Sequence, residues 1–220
     1  SSGAIIGIKE TQRLLERPEI KYLSEMMNFP GVIYDDKDVC EKIDIARRLG
    51  KKIDGHAPGL SGSDLRKYIT AGISTDHECS SMEEAREKIS YGMKILIREG
   101  SAARNLEALK PLLKSHPGMV MLCSDDIHPE MLLKRHINKL VAKLIKDKFD
   151  LFDVLRSSTV NPVIHYGLEA GLLKKGDPAD FIISSDLETM EVSETWIRGK
   201  KVFDGKNVLF DYIKGSAVNR

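Results

Sequence analysis

Short apolar runs alternate with helical patterns along most of this chain. Five runs have the length and the content of β-branched and apolar residues that favour strands, and they cover residues 20–26, 51–54, 73–75, 93–98 and 119–123. After each run, apolar residues recur every three or four positions, as they do along one face of a helix. The alternation indicates successive βα units and predicts a parallel sheet.

Capping and stop signals set the expected bounds of the helices. Asp35 or Asp36 precedes one helical pattern, which Gly50 ends. Ser80 or Ser81 precedes another, whose first turn is acidic, as the helix dipole favours. The expected helices, in chain order, are 11–17, 39–49, 65–72, 82–89, 105–115, 129–146, 151–156 and 161–166.

The pattern changes near Leu172. Beyond it, short alternating segments such as DFIIS, ETWIRG and KKVFDG are separated by Gly, Asp and Lys, which is typical of a few antiparallel strands. We therefore expect two domains, an α/β portion over 1–171 and a small β portion over 172–220.

Composition narrows the classes of function. The 220 residues carry 34 basic and 33 acidic side chains, a net charge of +1, which favours neither a nucleic-acid nor an anionic membrane partner. No apolar run approaches the roughly 20 residues of a membrane span. Three cysteines form no CxxC pair, which fits a reducing compartment. We expect a cytoplasmic protein that acts on a small molecule.

Four potential metal ligands lie at or just past the ends of four predicted strands: Glu25, His56, His77 and Asp125. The carboxyl ends of parallel strands meet at one edge, so these side chains are expected to converge. Imidazole and carboxylate together suit Zn, Mn or Fe, and such an ion activates water for hydrolysis. Taken singly, each has an ordinary alternative as a loop residue or, for Asp125, a helix cap. Only the strand at 93–98 contributes no candidate.

The strings SEMMNFPGV, DGHAPGLSG, GISTDHE, CSDDIHP and NPVIHYGLEAGLLKKGDPADFII resemble the adenine deaminase family of the amidohydrolase superfamily over essentially the whole chain. The resemblance implies part of a (β/α)₈ barrel, the region of strands 4–8, followed by a few strands of a small β-sandwich. It implies hydrolysis of adenine to hypoxanthine and ammonia in purine salvage, with two divalent ions (Mn, Fe or Zn) in the assembled site.

The resemblance also implies roles for individual residues. Glu25 matches the carboxylate that bridges the two metals, and His56 and His77 match the histidine ligands after strands 5 and 6. Asp125 matches the aspartate after strand 8, which binds metal and moves the proton. Glu78 is expected to act in catalysis by supporting the ligands or contacting the purine. The expected substrate-binding residues are Asn28, Asp126 and His128.

One family element has no match, because no His-x-His pair occurs in these 220 residues. We therefore expect the chain to be a segment of a longer or assembled enzyme. Open sheet edges in a partial barrel favour association, so we also expect a homo-oligomer. Two alternatives stay open: a catalytically silent, oligomerising metal-binding segment, and an amidohydrolase that acts on another aminopurine or a cyclic amide.

Overall fold

The computed structural model describes residues 5–211 together with 213 and 215. Contacts divide the chain into two units, Ser1–Leu168 and Glu169–Arg220. None of the helices in the described residues is long and apolar enough to span a bilayer.

The first unit is built on five parallel strands in sequence order, which confirms the predicted βα alternation. The strands are Tyr22–Met26 (β1), Lys52–Gly55 (β2), Thr75–Asp76 (β3), Lys94–Arg98 (β4) and Val120–Cys123 (β5). β1 pairs with β2, and β3, β4 and β5 form a second sheet in that order. The two sheets are linked where the Ser74 backbone N–H donates to the Ile53 carbonyl at 2.9 Å.

Eleven helices accompany the strands in the described part of the chain. They are Ile8–Leu15 (α1), Phe29–Ile33 (α2), Lys37–Arg48 (α3), Gly62–Thr70 (α4), Met82–Ser90 (α5), Leu106–Leu109 (α6), Leu112–Ser115 (α7), Pro129–Leu132 (α8), Ile137–Lys146 (α9), Leu151–Ser158 (α10) and Val160–Tyr166 (α11). Asp36 caps α3 by accepting from the Val39 N–H, and Ser81 caps α5 by accepting from the Glu84 N–H. The structure thus decides between the paired cap candidates in both cases.

Two expected helices were wrong as single elements. The helix over 105–115 is broken into α6 and α7 at Pro111, because proline has no N–H to donate and its ring crowds the preceding turn. The helix over 129–146 is broken into α8 and α9, where His136 takes an extended conformation at φ −145°. At that break the Arg135 guanidinium donates to the Gly100 carbonyl at 3.2 Å, a distant contact that no local pattern signals. The sequence pattern also missed α2.

The core of the first unit lies between the strands and the helices that follow them. Its fully buried side chains include Ile45, Ile53, Leu65, Ile73, Met93, Ile95 and Ile97. Burying each such side chain stabilises the fold by about 1.5–3 kcal/mol before entropy is counted. Burial alternates along β4, so Ile95 and Ile97 face the core while Arg98 at the end of the strand does not.

The second unit contains the predicted antiparallel strands, which are Phe181–Ser184 (β6), Val192–Ile197 (β7) and Lys200–Phe203 (β8), paired in that order. Phe181 and Trp196 lie opposite each other and stack with ring centroids 5.7 Å apart. Arg198 and Gly199, both at positive φ, make the two-residue turn between β7 and β8 that suits the twist of a hairpin.

Candidate metal centre

The carboxyl ends of the first three strands place Glu25, His56 and His77 beside one another. Glu25 is the fourth residue of β1, His56 follows β2 directly, and His77 follows β3 directly. Strands β2 and β3 approach closely here, because a Cβ added at Gly55 would lie 2.3 Å from the Thr75 carbonyl oxygen. Glycine at this position therefore lets the two histidines come together.

The three side chains face each other at ligand-like separations. His77 Nε2 lies 2.9 Å from Glu25 Oε2, and His56 Nδ1 lies 3.9 Å from Glu25 Oε1. The two imidazole rings meet edge to face with centroids 5.3 Å apart. His77 is buried, and the side chains of His56 and Glu25 are 22% and 33% exposed.

These residues fit a divalent metal. One ligand atom from each of Glu25, His56 and His77 can be chosen so that all lie within 4.8 Å of one another. Donor atoms about 2.1 Å from a single ion lie about 3–4 Å apart, so little adjustment is needed. His56 Nδ1 is buried and has no hydrogen-bond partner among the described residues. A buried polar atom without a partner costs free energy, and a metal ion would remove that cost.

A second group of charged side chains adjoins the first. Glu78 Oε1 lies 3.5 Å from His56 Nδ1 and 3.4 Å from His77 Nε2. Asp125, two residues past β5 and at φ +52°, shares a possible ligand group with His77 and Glu78. The structure therefore brings together all four predicted ligands and Glu78 at one edge of the strands.

Arg98 is the residue that the sequence analysis missed. It ends β4, the strand that contributed no candidate, and its Nη1 lies 2.6 Å from Asp125 Oδ2. Its Nη2 donates to Glu78 Oε2 at 2.7 Å, and Nη1 also contacts Glu78 Oε1. Its position at the carboxyl end of a strand was a usable signal. A guanidinium does not ligate metals, so a search for metal ligands alone does not find it.

Tyr68 of α4 holds the ends of β1 and β2 together. Its hydroxyl donates to the Met26 carbonyl at 2.6 Å and accepts from the His56 N–H at 3.1 Å. The side chain is fully buried, and burial raises the pKa of the phenol well above its usual value. The hydroxyl therefore stays protonated and keeps the backbone of His56 fixed relative to β1.

Asp54 is a buried carboxylate two residues before His56. It accepts hydrogen bonds from Thr75 Oγ1 at 2.8 Å and from the Tyr166 hydroxyl at 3.0 Å. Burial raises the pKa of Asp54, although both hydrogen bonds act in the opposite direction. The sequence analysis did not single it out.

The three expected substrate-binding residues have separate positions. Asn28 caps α2, because its Oδ1 accepts from the Gly31 N–H at 3.0 Å. Asp126 and His128 are exposed on the segment after Asp125, and the His128 backbone N–H donates to Ser101 Oγ at 2.9 Å. None of the three is among the ion-paired side chains that surround His77, which are Glu25, His56, Glu78 and Asp125.

A cavity of about 820 Å³ opens beside the charged group. Its lining includes Glu78, Arg98, Glu99, Arg104 and Asn105. It is wide enough for a small ring compound, and it carries both signs of charge.

Sequence relatives of this chain are adenine deaminases. The chain is 54% identical over 220 residues to an adenine deaminase of Methanosarcina mazei and 56% identical over 219 residues to one of Sulfurovum sp.. Each alignment covers 100% of this chain, but only 40% and 41% of the two relatives. The chain thus spans about two fifths of the length of the curated relatives it matches.

Solved structures with low sequence identity share the fold of this chain. A beta-aspartyl dipeptidase from Fervidobacterium islandicum AW-1 matches 96% of this chain and 63% of its own, with a TM-score of 0.67 and 18% identity. The model of the amidohydrolase family matches residues 7–202. The chain therefore belongs to the amidohydrolase family.

Proposed function

We propose that this chain is part of a metal-dependent enzyme that hydrolyses adenine to hypoxanthine and ammonia. The observation that carries the proposal is the convergence of Glu25, His56 and His77, in which the buried His56 Nδ1 has no hydrogen-bond partner among the described residues. The adenine deaminase relatives, about half identical over the whole chain, support adenine as the substrate.

The ligand set is proposed to serve two divalent ions, Mn, Fe or Zn, in the assembled enzyme. Glu25, His56, His77 and Asp125 would hold the ions. When bound, the metal lowers the pKa of a water molecule, so that a nucleophile is available near neutral pH.

The chain's own residues then move the proton. Asp125 accepts a proton from the attacking water as the oxygen adds to C6 of adenine. It returns the proton to the departing amino group, the C6–N bond breaks, and ammonia leaves. Arg98 holds the Asp125 carboxylate in place, and Glu78, held by the same guanidinium, faces both histidines.

The remaining assignments belong to the same proposal. The first unit corresponds to the strand 4–8 region of a (β/α)₈ barrel over 1–171, and 172–220 to part of a β-sandwich. Asn28, Asp126 and His128 contact the purine. The enzyme acts in purine salvage in the cytoplasm as a homo-oligomer without a nucleic-acid partner.

The test is ammonia release from adenine, with hypoxanthine identified by chromatography and bound metal measured in the same sample. It uses both the enzyme that contains these 220 residues and this chain alone, each supplied with Mn²⁺ or Zn²⁺. We expect turnover by the enzyme. Metal-loaded enzyme that leaves adenine intact would overturn the proposal, and turnover of another aminopurine or a cyclic amide instead would identify the alternative substrate class.

A further inference from the structure

Next to the metal ligands lies a further, largely buried group of charges formed by Asp76, Glu84 and Lys88. The side chains of Asp76 and Lys88 are 0% exposed, and that of Glu84 is 12% exposed. Lys88 Nζ makes three contacts, to the Ala57 carbonyl at 2.6 Å, to Asp76 Oδ2 at 3.1 Å and to Glu84 Oε1 at 2.7 Å. An ammonium has three protons to donate, so its capacity is filled.

The carboxylate of Asp76 binds the backbone directly beside both histidine ligands. Its Oδ1 accepts from the N–H of Ala57, the residue after His56, at 2.8 Å. Its Oδ2 accepts from the N–H of Glu78, the residue after His77, at 3.1 Å. One side chain therefore fixes the chain next to each histidine.

Glu84 of α5 makes a second link between the same two backbone segments, further along the chain from each histidine. Its Oε1 accepts from the Gly59 N–H at 2.8 Å, and its Oε2 accepts from the Ser80 N–H at 3.2 Å. Gly59 and Ser80 each lie three residues past a histidine ligand. The two carboxylates thus join the segment after β2 to the segment after β3 at two levels.

Asp76 and Lys88 are both charged at neutral pH. Burial opposes the charge on Lys88, but Asp76, Cys79 and Glu84 raise its pKa. Burial also opposes the charge on Asp76, but Lys88, the Cys79 thiol and the Ala57 N–H together lower its pKa. Buried ion pairs of this kind often contribute no more stability than apolar residues of the same volume would. Stability alone therefore does not account for a charged group placed here.

We propose that Asp76, Glu84 and Lys88 are positioning residues that set the metal affinity of the Glu25, His56 and His77 centre, because they fix the two backbone segments from which the histidines project. The inference deepens the proposed function and rests on it for the presence of a metal. Outer groups that orient metal ligands typically change metal affinity 10- to 100-fold when they are removed.

The experiment is titration of Zn²⁺ into the metal-free 220-residue chain by isothermal calorimetry at neutral pH. Glu84→Ala is the main variant, because Glu84 is the least buried of the three, and Glu84→Gln is the conservative one. Glu87→Ala is the matched control, since Glu87 lies on the same helix and accepts from the Gly62 N–H at 2.8 Å, six residues past His56. We expect Glu84→Ala to weaken Zn²⁺ binding about 10- to 100-fold, Glu84→Gln to recover part of the loss, and Glu87→Ala to bind within about twofold of wild type.

A second measurement needs no metal. The imidazole ¹⁵N resonances of His56 and His77 are recorded in the metal-free chain, and we expect Glu84→Ala but not Glu87→Ala to shift or broaden them. Unchanged resonances together with unchanged Zn²⁺ affinity in Glu84→Ala would overturn the positioning role. A wild-type chain that takes up no Zn²⁺ would count against the proposed function, while altered resonances in Glu84→Ala would still support the positioning role.

Discussion

The metal-ligand cluster (Glu25, His56, His77, Glu78 and Asp125) and the positioning cluster (Asp76, Glu84 and Lys88) meet where Asp76 binds the backbone beside His56 and His77, yet they use their polar atoms differently. In the positioning cluster the ammonium and both carboxylates have full sets of partners, several of them backbone N–H groups. In the metal-ligand cluster, carboxylate oxygens face imidazole nitrogens, and His56 Nδ1 has no hydrogen-bond partner within the described residues.

The difference separates a buried cluster that is satisfied by its own hydrogen bonds from a partly exposed cluster that can accept a cation. A cluster in which every hydrogen-bond donor has an acceptor needs no further ligand, and its side chains can hold the backbone in place. A cluster with more acceptors than donors is prepared for a cation. Arg98 supplies one positive charge at the edge of the metal-ligand cluster, against the three carboxylates of Glu25, Glu78 and Asp125.

The largest effect is expected from removing a ligand. His77→Ala in the enzyme that contains this chain should lower kcat/KM for adenine by roughly 10³-fold or more, since a catalytic metal supplies several kcal/mol of transition-state stabilisation. His116→Ala is the control, because His116 precedes β5, at the opposite end of that strand from Asp125. Near-normal turnover by His77→Ala would remove His77 from the proposed site.

Removing the positive charge from the positioning cluster should lower the free energy of unfolding. Lys88→Met leaves the Asp76 carboxylate buried without its cation, so the free energy of unfolding in urea should fall by about 3–5 kcal/mol. Lys143→Met is the matched control, because its ion pair with Glu107 is exposed and should contribute less than about 1 kcal/mol. Equal losses in the two variants would contradict the contrast between buried and exposed charge.

A third test concerns His165 of α11, a buried histidine outside both clusters. Burial, together with the positive charges of Lys52 and Lys94, lowers its pKa to about 4. The unfolded chain, with a histidine pKa near 6.5, therefore binds the extra proton first as pH falls. The stabilisation is full above about pH 6.5 and is lost as pH falls towards 4, by about 1–3 kcal/mol. His165→Leu should flatten the dependence of unfolding free energy on pH in that window, and an unchanged slope would contradict this assignment.

The smallest expected effect comes from Arg98. Arg98→Met removes the positive charge beside Glu78 and Asp125, so Zn²⁺ should bind this chain up to about fivefold more tightly, equivalent to about 1 kcal/mol. Calorimetric titration measures the change, with Arg66→Met as the control, since Arg66 lies on α4 and packs over Tyr91. Weaker binding by Arg98→Met would contradict this prediction, and it would mean that holding the carboxylates in place outweighs the repulsion between the guanidinium and the metal.

The sequence by itself determined the features that depend on neighbouring residues. Local periodicity predicts the βα alternation and the antiparallel strands of the second unit. Single residues of known preference predict the caps at Asp36 and Ser81. The expected convergence of Glu25, His56, His77 and Asp125 needed only one general rule, that the carboxyl ends of parallel strands share an edge.

Tertiary structure decided the rest, because the interactions join residues far apart in the chain. Arg98 reaches Asp125 across 27 residues, Lys88 reaches Ala57 across 31, and Arg135 reaches Gly100 across 35. A lysine in a helix has the same local pattern whether it faces water or a buried aspartate. Its role is fixed only when packing excludes water from around it and leaves the neighbouring carboxylate and carbonyl as its partners.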